Sequence, residues 1–296
     1  MNEVIVEQKK LFPYERKVIS LIAIVNAVLI AYLSIAGPMI LNRIVYRTSE
    51  EVNWQIIGQD IVNLFILVPL LVIISILMWV NHPLVRYLLP LPGITMIYFS
   101  LSYGIGNEWS HPTYSSINAN IEDYSFIFII IIISGILLTF ASFALLSPED
   151  APNFRPRVKN IIIILMGFFL LAFSFLWLKQ VMEISIHGKL LDNTAYEDAP
   201  VVFWVIKYFD LGFSFPMGFL ALYLLSTRPK QAYPILLIIT GFMVLMGTAV
   251  VSMAVVQFLN GDPSFEIGTF FILIPLTVLT YAIAFLLLEQ PVKRKY

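Results

Sequence analysis

The chain has no cysteine among its 296 residues, which excludes disulfide bonds, thiolate metal sites and covalent haem attachment. Charge is also scarce: Asp, Glu, Lys and Arg make up 12% of the residues, whereas a soluble domain carries about 25%. Neither Gly-x-Ser-x-Gly nor His-Glu-x-x-His occurs, and there is no phosphate-binding glycine loop. These absences argue against an enzyme built on a known motif and favour a protein whose solvent is a lipid bilayer.

Long apolar runs dominate what is present. Hydrophobic residues make up 59% of the chain, and the mean hydropathy is +0.86. Eight runs approach the ~20 residues that a helix needs to cross a ~30 Å hydrocarbon layer. They cover residues 18–41, 61–80, 84–104, 125–146, 160–182, 201–226, 233–259 and 268–288. We therefore predict an all-α integral membrane protein with eight transmembrane helices.

The runs divide the chain into two four-helix membrane units. The predicted segments are a cytoplasmic N-terminal segment 1–17, a first unit 18–146, a basic cytoplasmic linker 147–159, a second unit 160–288 and a basic cytoplasmic tail 289–296. The same Pro-x-x-x-Tyr pattern follows the second and sixth runs, at Pro83 with Tyr87 and at Pro229 with Tyr233. This pattern predicts an internal repeat of two related halves. The alternative is chance matching of proline-rich turns between helices.

Basic residues are distributed unevenly between the two sides of the predicted membrane. Thirteen of the 18 Lys and Arg residues fall in segments on the side of the N-terminus, and three fall in the opposite loops. The positive-inside rule therefore predicts a multi-pass protein of the cell membrane with both termini in the cytoplasm. We expect the lipid bilayer and a cation or small solute as partners, and no nucleic acid. The cofactor and the oligomeric state stay open.

Asp210 is a carboxylate inside the sixth apolar run. A helix that rises ~1.5 Å per residue from Val201 carries it ~13 Å into the hydrocarbon layer. An ionisable group at that depth costs roughly 2.5–3.5 kcal/mol, so it usually has a partner or a task. Lys207 lies one turn earlier on the same face, and Lys179 near the outer end of the fifth run is a second candidate counter-charge. The structural alternative to a cation or proton site is a neutralised ion pair.

Other polar residues and helix breakers extend this predicted site. The further candidate ligands are Asp60 at the entrance of the second run, and Tyr98 and Tyr103 toward the outer end of the third. The predicted hinges are Gly212, Pro216, Pro69 and Pro90. Together they predict a site that opens to the outer face between spans two, three, five and six.

A metal site in the external loops is a weaker prediction. His111, Glu108 and His187 carry groups that can ligate a metal. Their spacing matches no recognised ligand motif, and solvated loop histidines are the alternative.

Several short motifs occur in a characteristic order. Gly58-Gln59-Asp60 is followed by Pro69, and Asp210-Leu211-Gly212 is followed by Pro216. In this order they resemble a widespread, uncharacterised family of bacterial and archaeal polytopic membrane proteins of about this size. The resemblance implies a shared multi-span fold and brings no established activity with it.

Three functions are compatible with these features. The leading hypothesis is a small-solute or ion transporter with an intramembrane site at Asp210 that opens to the outer face. The first alternative is a non-transporting receptor or accessory subunit, in which Asp210 forms a dry ion pair that no cavity reaches. The second is a lipid-active integral membrane enzyme, which requires a polar cluster at one interface.

Overall fold

A computed structural model describes residues 11–107, 114–148, 150–191, 196, 199–262, 265 and 267–289. Across these residues the regular structure is entirely helical. Eight helical spans within them are long and apolar enough to cross a membrane. They are α1 (Pro13–Ala36), α2 (Glu50–Trp79), α3 (Val85–Gly106), α4 (Ile121–Leu145), α5 (Pro156–His187), α6 (Pro200–Thr227), α7 (Pro229–Leu259) and α8 (Phe270–Glu289). The predicted all-α fold with eight transmembrane helices is confirmed.

The boundaries of the first two spans differ from the prediction. α1 ends at Ala36 rather than at residue 41, and α2 begins at Glu50 rather than at residue 61. The side chain of Ser49 accepts a hydrogen bond of 3.2 Å from the backbone N–H of Val52, which caps the polar first turn of α2. Hydropathy detects only the apolar part of such a helix. Asp60, predicted at the entrance of this span, therefore lies inside it.

α5 is also longer than its apolar run, which covered residues 160–182. It continues to His187 and ends where Gly188 takes a left-handed conformation with φ of 71°. Trp177 lies well inside the helix, two turns or more before its end.

Two spans share a local distortion in front of a proline. Five-residue π-helical segments occupy Asn63–Leu67 in α2 and Asp210–Ser214 in α6. Pro69 and Pro216 stand six residues after the first residue of each segment. A π-helical turn inside an α-helix often marks a functional position. Both segments lie at or next to a residue of the predicted site.

α7 is the central helix of the bundle, in contact with α2, α3, α4, α6 and α8. At Gly58 of α2 the two backbones nearly touch, because a Cβ there would lie 2.4 Å from the Cα of Met253. Small residues permit such close approach between membrane helices. One apolar core joins α1 to α4, and a second joins α5 to α8 together with Ile94 and Tyr98 of α3.

Candidate functional site

Asp210 lies on α6, with a side chain that is 8% exposed. Its Oδ2 accepts a hydrogen bond of 2.8 Å from the indole Nε1–H of Trp177 on α5. Its Oδ1 accepts one of 3.1 Å from the hydroxyl of Ser214, the last residue of the π-helical segment. A hydrogen bond to a carboxylate is roughly twice as strong as one between neutral groups. The carboxylate therefore connects α5 to α6 as well as bracing the distorted turn.

Lys207 is buried beside this pair but contacts aromatic rings instead of the carboxylate. Its ammonium lies 3.3 Å from the ring centroid of Trp177 and 4.3 Å from that of Phe203. Among the described residues it forms no ion pair with Asp210. Cation–π contacts thus stabilise the ammonium. Trp177 separates the two charges, with its N–H on the carboxylate and its face toward the ammonium.

Lys179, the second candidate counter-charge, is directed elsewhere. Its ammonium forms an ion pair of 3.3 Å with Glu183, one turn further along α5. Its side chain is about half exposed, and exposed pairs of this kind contribute little stability. The structure does not bring Lys179 to Asp210.

A cavity of about 340 Å³ lies beside Asp210. α3, α5, α6, α7 and α8 all contribute to its wall, and Asp210 is the one carboxylate among the described residues that line it. The aromatic part of the wall consists of Tyr98, Phe169, Phe173, Trp177, Phe215 and Phe242. Ligand pockets typically measure about 300–1,000 Å³ and combine apolar walls with a few polar groups. The cavity therefore has the size and composition of a small-molecule site.

The cavity reaches the flank of the bundle between α5 and α8. Leu176 on α5 and Ile272 on α8 both line it, and these residues are 42% and 63% exposed. Exposed apolar side chains at this position face the hydrocarbon when the helices cross a bilayer. Spans three, five and six contribute as predicted for the opening, whereas α2 does not line the cavity.

The two predicted tyrosines belong to different regions. Tyr98 lines the cavity, and its ring packs edge-on against Phe209 and Phe242 at centroid distances of 5.1 Å and 5.4 Å. Tyr103 packs edge-on against Tyr46 at 6.1 Å, in the core of the first four spans. Only Tyr98 is therefore part of the Asp210 site.

Asp60 forms a second buried polar region with Tyr46 and Ser34. It is 3% exposed, and its Oδ2 has no hydrogen-bond partner among the described residues. The Oγ of Ser34 on α1 is close to this carboxylate. Burial, followed by the negative charge of Asp60 and by Tyr124, raises the pKa of Tyr46 well above its usual value. Asp60 does not line the cavity at Asp210.

The four predicted hinges all lie at distortions of the helices. Gly212 is inside the π-helical segment of α6, and Pro216 follows that segment. Pro69 follows the corresponding segment of α2. Pro90 lies between the two α-helical pieces of α3. Whether these positions move stays a prediction.

The predicted metal ligands are not brought together in the described structure. His187 is exposed at the end of α5, while His111 and Glu108 lie outside the described residues. Within the residues that are described, no group of three His, Asp or Glu side chains could hold a metal ion. The metal prediction therefore gains no support from the described part of the loops.

Sequence reasoning missed two direct partners of Asp210. Ser214 stands four residues later, where a helix places it on the same face, so this spacing could have identified it. Trp177 lies near the end of the predicted fifth run, 160–182, and nothing in the sequence pattern connects it to the sixth run. The packing of α5 against α6 brings the indole to the carboxylate.

No protein-family model, curated protein or solved structure matches this chain. The resemblance to a family of polytopic membrane proteins stays a prediction. The chain is an all-helical, multi-pass protein with eight spans and a carboxylate-bearing apolar cavity.

Proposed function

We propose that this protein is a membrane transporter that binds a hydrophobic organic cation in the cavity beside Asp210. The observation that carries the proposal is the composition of the cavity wall, which holds one carboxylate among apolar and aromatic side chains. A ligand that fills this space buries an apolar body, and its positive charge is complementary to Asp210. Aromatic faces such as that of Phe242 add favourable contacts with a cation.

The position of Lys207 leaves the Asp210 carboxylate available to a positively charged ligand. Because the ammonium lies on the face of Trp177, Asp210 is not neutralised by a direct ion pair among the described residues. Lys207 is also absent from the lining of the cavity, so a ligand meets the carboxylate and not the ammonium. The accessory-subunit hypothesis expected a dry ion pair without a cavity. Within the described part of the chain Asp210 forms no ion pair, and a cavity borders it.

The position of the opening supports entry from the membrane. A hydrophobic cation partitions into the bilayer, and the cavity opens between α5 and α8 through apolar side chains. We therefore propose that the site opens laterally to the membrane rather than at the outer face. We place the protein in the cell membrane with both termini in the cytoplasm, as the distribution of Lys and Arg favours.

Binding of tetraphenylphosphonium to the purified protein in lipid nanodiscs tests the proposal. Tetraphenylborate, which has nearly the same shape and the opposite charge, is the matched control ligand. We expect saturable quenching of the tryptophan fluorescence by the cation, through Trp177 in the cavity wall, and little by the anion. We also expect proteoliposomes that contain the protein to take up the cation faster than empty liposomes.

Three variants identify the site. Asp210→Asn should weaken binding of the cation at least tenfold, because the charge is lost, while Glu183→Gln removes a carboxylate outside the cavity and should change nothing. Ala172→Phe should also weaken binding of the cation, because the added ring occupies the cavity without altering any charge. Unchanged affinity in Asp210→Asn, or equal affinity for the anion, would contradict the proposal.

The accessory or receptor function is the second candidate. The hydrogen bonds from Trp177 and Ser214 favour it, because they give Asp210 a structural role between α5 and α6. It predicts that Asp210→Asn lowers the thermal stability while neither binding nor flux of any cation is found.

A further inference from the structure

A second cavity, of about 200 Å³, lies where α5 and α7 begin. Residues 152–154 of the connection before α5 form one part of its wall, and the first residues of α5 and α7 form the rest. It shares no lining residue with the cavity at Asp210. A water molecule takes up about 30 Å³ in the liquid, so this space holds a group several times larger than water.

The charged side chains that line this cavity are both positive. Lys159 comes from α5 and Lys230 from α7, and no Asp or Glu among the described residues contributes to the wall. Neither lysine forms an ion pair in the described part of the chain. Asp150, which precedes the connection, is paired with Arg86 at 2.6 Å. Two ammonium groups from different helices therefore border one space without a carboxylate to neutralise them.

The N-termini of two long helices meet at the same cavity. α5 begins at Pro156 and has 32 residues, and α7 begins at Pro229 and has 31 residues. Both prolines line the cavity. The first N–H groups of a helix have no acceptor within it, and neither helix has a side chain that caps this end. The partial positive charge of each terminus therefore adds to that of the two lysines.

The wall of the cavity is held in place by apolar packing. Phe154 of the connection packs edge-on against Tyr233 of α7, with ring centroids 6.1 Å apart. Tyr233 is buried, in a small apolar cluster with Leu146, Ala151 and Leu237. The connection before α5 is thus fixed against α7. A cavity that exists before the ligand arrives lowers the entropic cost of binding.

The position of the two lysines along the chain places the cavity at the edge of the hydrocarbon layer. Lys159 directly precedes the fifth apolar run, and Lys230 stands three residues before the seventh. When these runs cross a bilayer, both ammonium groups lie at the level of the lipid headgroups. The distribution of Lys and Arg favours the cytoplasmic side, where basic pockets between membrane helices bind anionic headgroups.

We propose that Lys159, Lys230 and the N-termini of α5 and α7 form a binding site for a phosphate group, carried by an anionic phospholipid or free in solution. The bound phosphate connects the first turn of α5 to that of α7. Arg157 and Arg228 are exposed next to the lining residues and add to the attraction for an anion. The site is independent of the proposed transport of an organic cation.

Thermal unfolding of the purified protein in a neutral detergent tests the phosphate site in the absence of any organic cation. One arm compares dioctanoyl phosphatidylglycerol with dioctanoyl phosphatidylcholine, which has the same acyl chains and no net charge. The other compares sodium phosphate with sodium chloride at equal ionic strength. We expect phosphatidylglycerol to raise the unfolding midpoint by about 3 °C for each tenfold excess over its dissociation constant, and phosphatidylcholine to leave it unchanged.

Variants assign the ligand to this cavity. Lys159→Gln and Lys230→Gln should each weaken binding of phosphatidylglycerol about fivefold, as expected when one basic group near an anionic headgroup is lost. Lys17→Gln is the matched control, because it removes the same charge from an exposed position at the start of α1, outside the cavity. Asp210→Asn should keep the response, which separates a failure here from a failure of the organic-cation site.

The two arms distinguish the sources of the phosphate. A rise with phosphatidylglycerol alone supports a headgroup site, and a rise with sodium phosphate supports a site for the free anion. Equal midpoints in all four conditions would overturn the proposal. Equal responses to the two lipids would show binding through the acyl chains only and would overturn it as well. So would a response that the double variant of Lys159 and Lys230 retains in full, or that Lys17→Gln weakens as much as Lys159→Gln does.

Discussion

The two buried carboxylates of this protein, Asp60 in α2 and Asp210 in α6, differ in what surrounds them. Asp210 accepts hydrogen bonds from Trp177 and Ser214 and borders a cavity. Asp60 leaves an oxygen without a partner and faces the end of α1. A carboxylate that the protein already satisfies can take part in ligand recognition, whereas an unsatisfied one requires a ligand or a proton to be tolerated.

The glycines beside the two carboxylates show a similar contrast. A Cβ at Gly58, two residues before Asp60, would lie 2.4 Å from the backbone of Met253. A Cβ at Gly212, two residues after Asp210, would meet no atom within 4 Å. At Gly58, α2 is thus closely packed against α7, whereas the surroundings of Gly212 are open.

The largest effect should come from adding one methyl group on the packed side. Gly58→Ala forces α2 and α7 apart and should destabilise the protein by about 3 kcal/mol, at the upper end for overpacking because the obstacle is backbone. Gly212→Ala is the matched control and should be neutral or stabilising by up to about 1 kcal/mol through helix propensity. Thermal unfolding in detergent measures both. Equal stability of the two variants would remove the packing contrast.

A smaller loss is expected when Asp210 loses its indole partner. Trp177→Phe keeps an aromatic ring but removes the N–H that reaches the carboxylate, so it should cost about 2 kcal/mol. Trp79→Phe is the control, because Trp79 is 65% exposed and should tolerate the change. Unfolding midpoints of the two variants give the comparison. If they are equally stable, Asp210 does not depend on this hydrogen bond.

Asp60 should respond in the opposite direction. Asp60→Asn removes a negative charge from beside the C-terminal end of α1 and should stabilise the protein by about 0.3–1 kcal/mol. Urea or thermal unfolding in detergent provides the measurement. A loss greater than about 1 kcal/mol would mean that the carboxylate has a stabilising partner of its own.

The smallest effect concerns the ammonium behind Trp177. Lys207→Met keeps apolar contact with the ring and removes a positive charge near the proposed site. Since the repulsion is worth about 0.5 kcal/mol, tetraphenylphosphonium should bind about twofold more tightly. Titration in nanodiscs measures the change. Weaker binding would indicate that Lys207 positions Trp177 for the ligand.

The comparison also bears on the predicted internal repeat. If the π-helical segments of α2 and α6 are superposed on their prolines, Asn63 corresponds to Asp210 and Asp60 corresponds to Lys207. The two carboxylates would then not be counterparts of each other. The repeat itself stays a prediction.

Much of the architecture could be read from local patterns. The apolar runs identify eight spans, and the position of Asp210 within its run places a carboxylate deep in the sixth. These inferences succeed because the bilayer requires each spanning segment to be long and apolar on its own. The polar ends of α2 and α5 lie outside the apolar runs, so both helices were predicted too short.

The partners of the carboxylates depend on tertiary structure. Each membrane helix is apolar on nearly every face, so its sequence pattern does not show which neighbour a given side chain contacts. The pattern of α5 does not reveal that Trp177 contacts α6. The pattern of α1 does not reveal that Ser34 lies close to Asp60. Contacts between helices distant in the chain place Lys207 on an indole ring and open the cavity between α5 and α8. The amino-acid pattern establishes a carboxylate at depth in an apolar span, and the packing of neighbouring helices establishes whether it is satisfied, paired or open to a ligand.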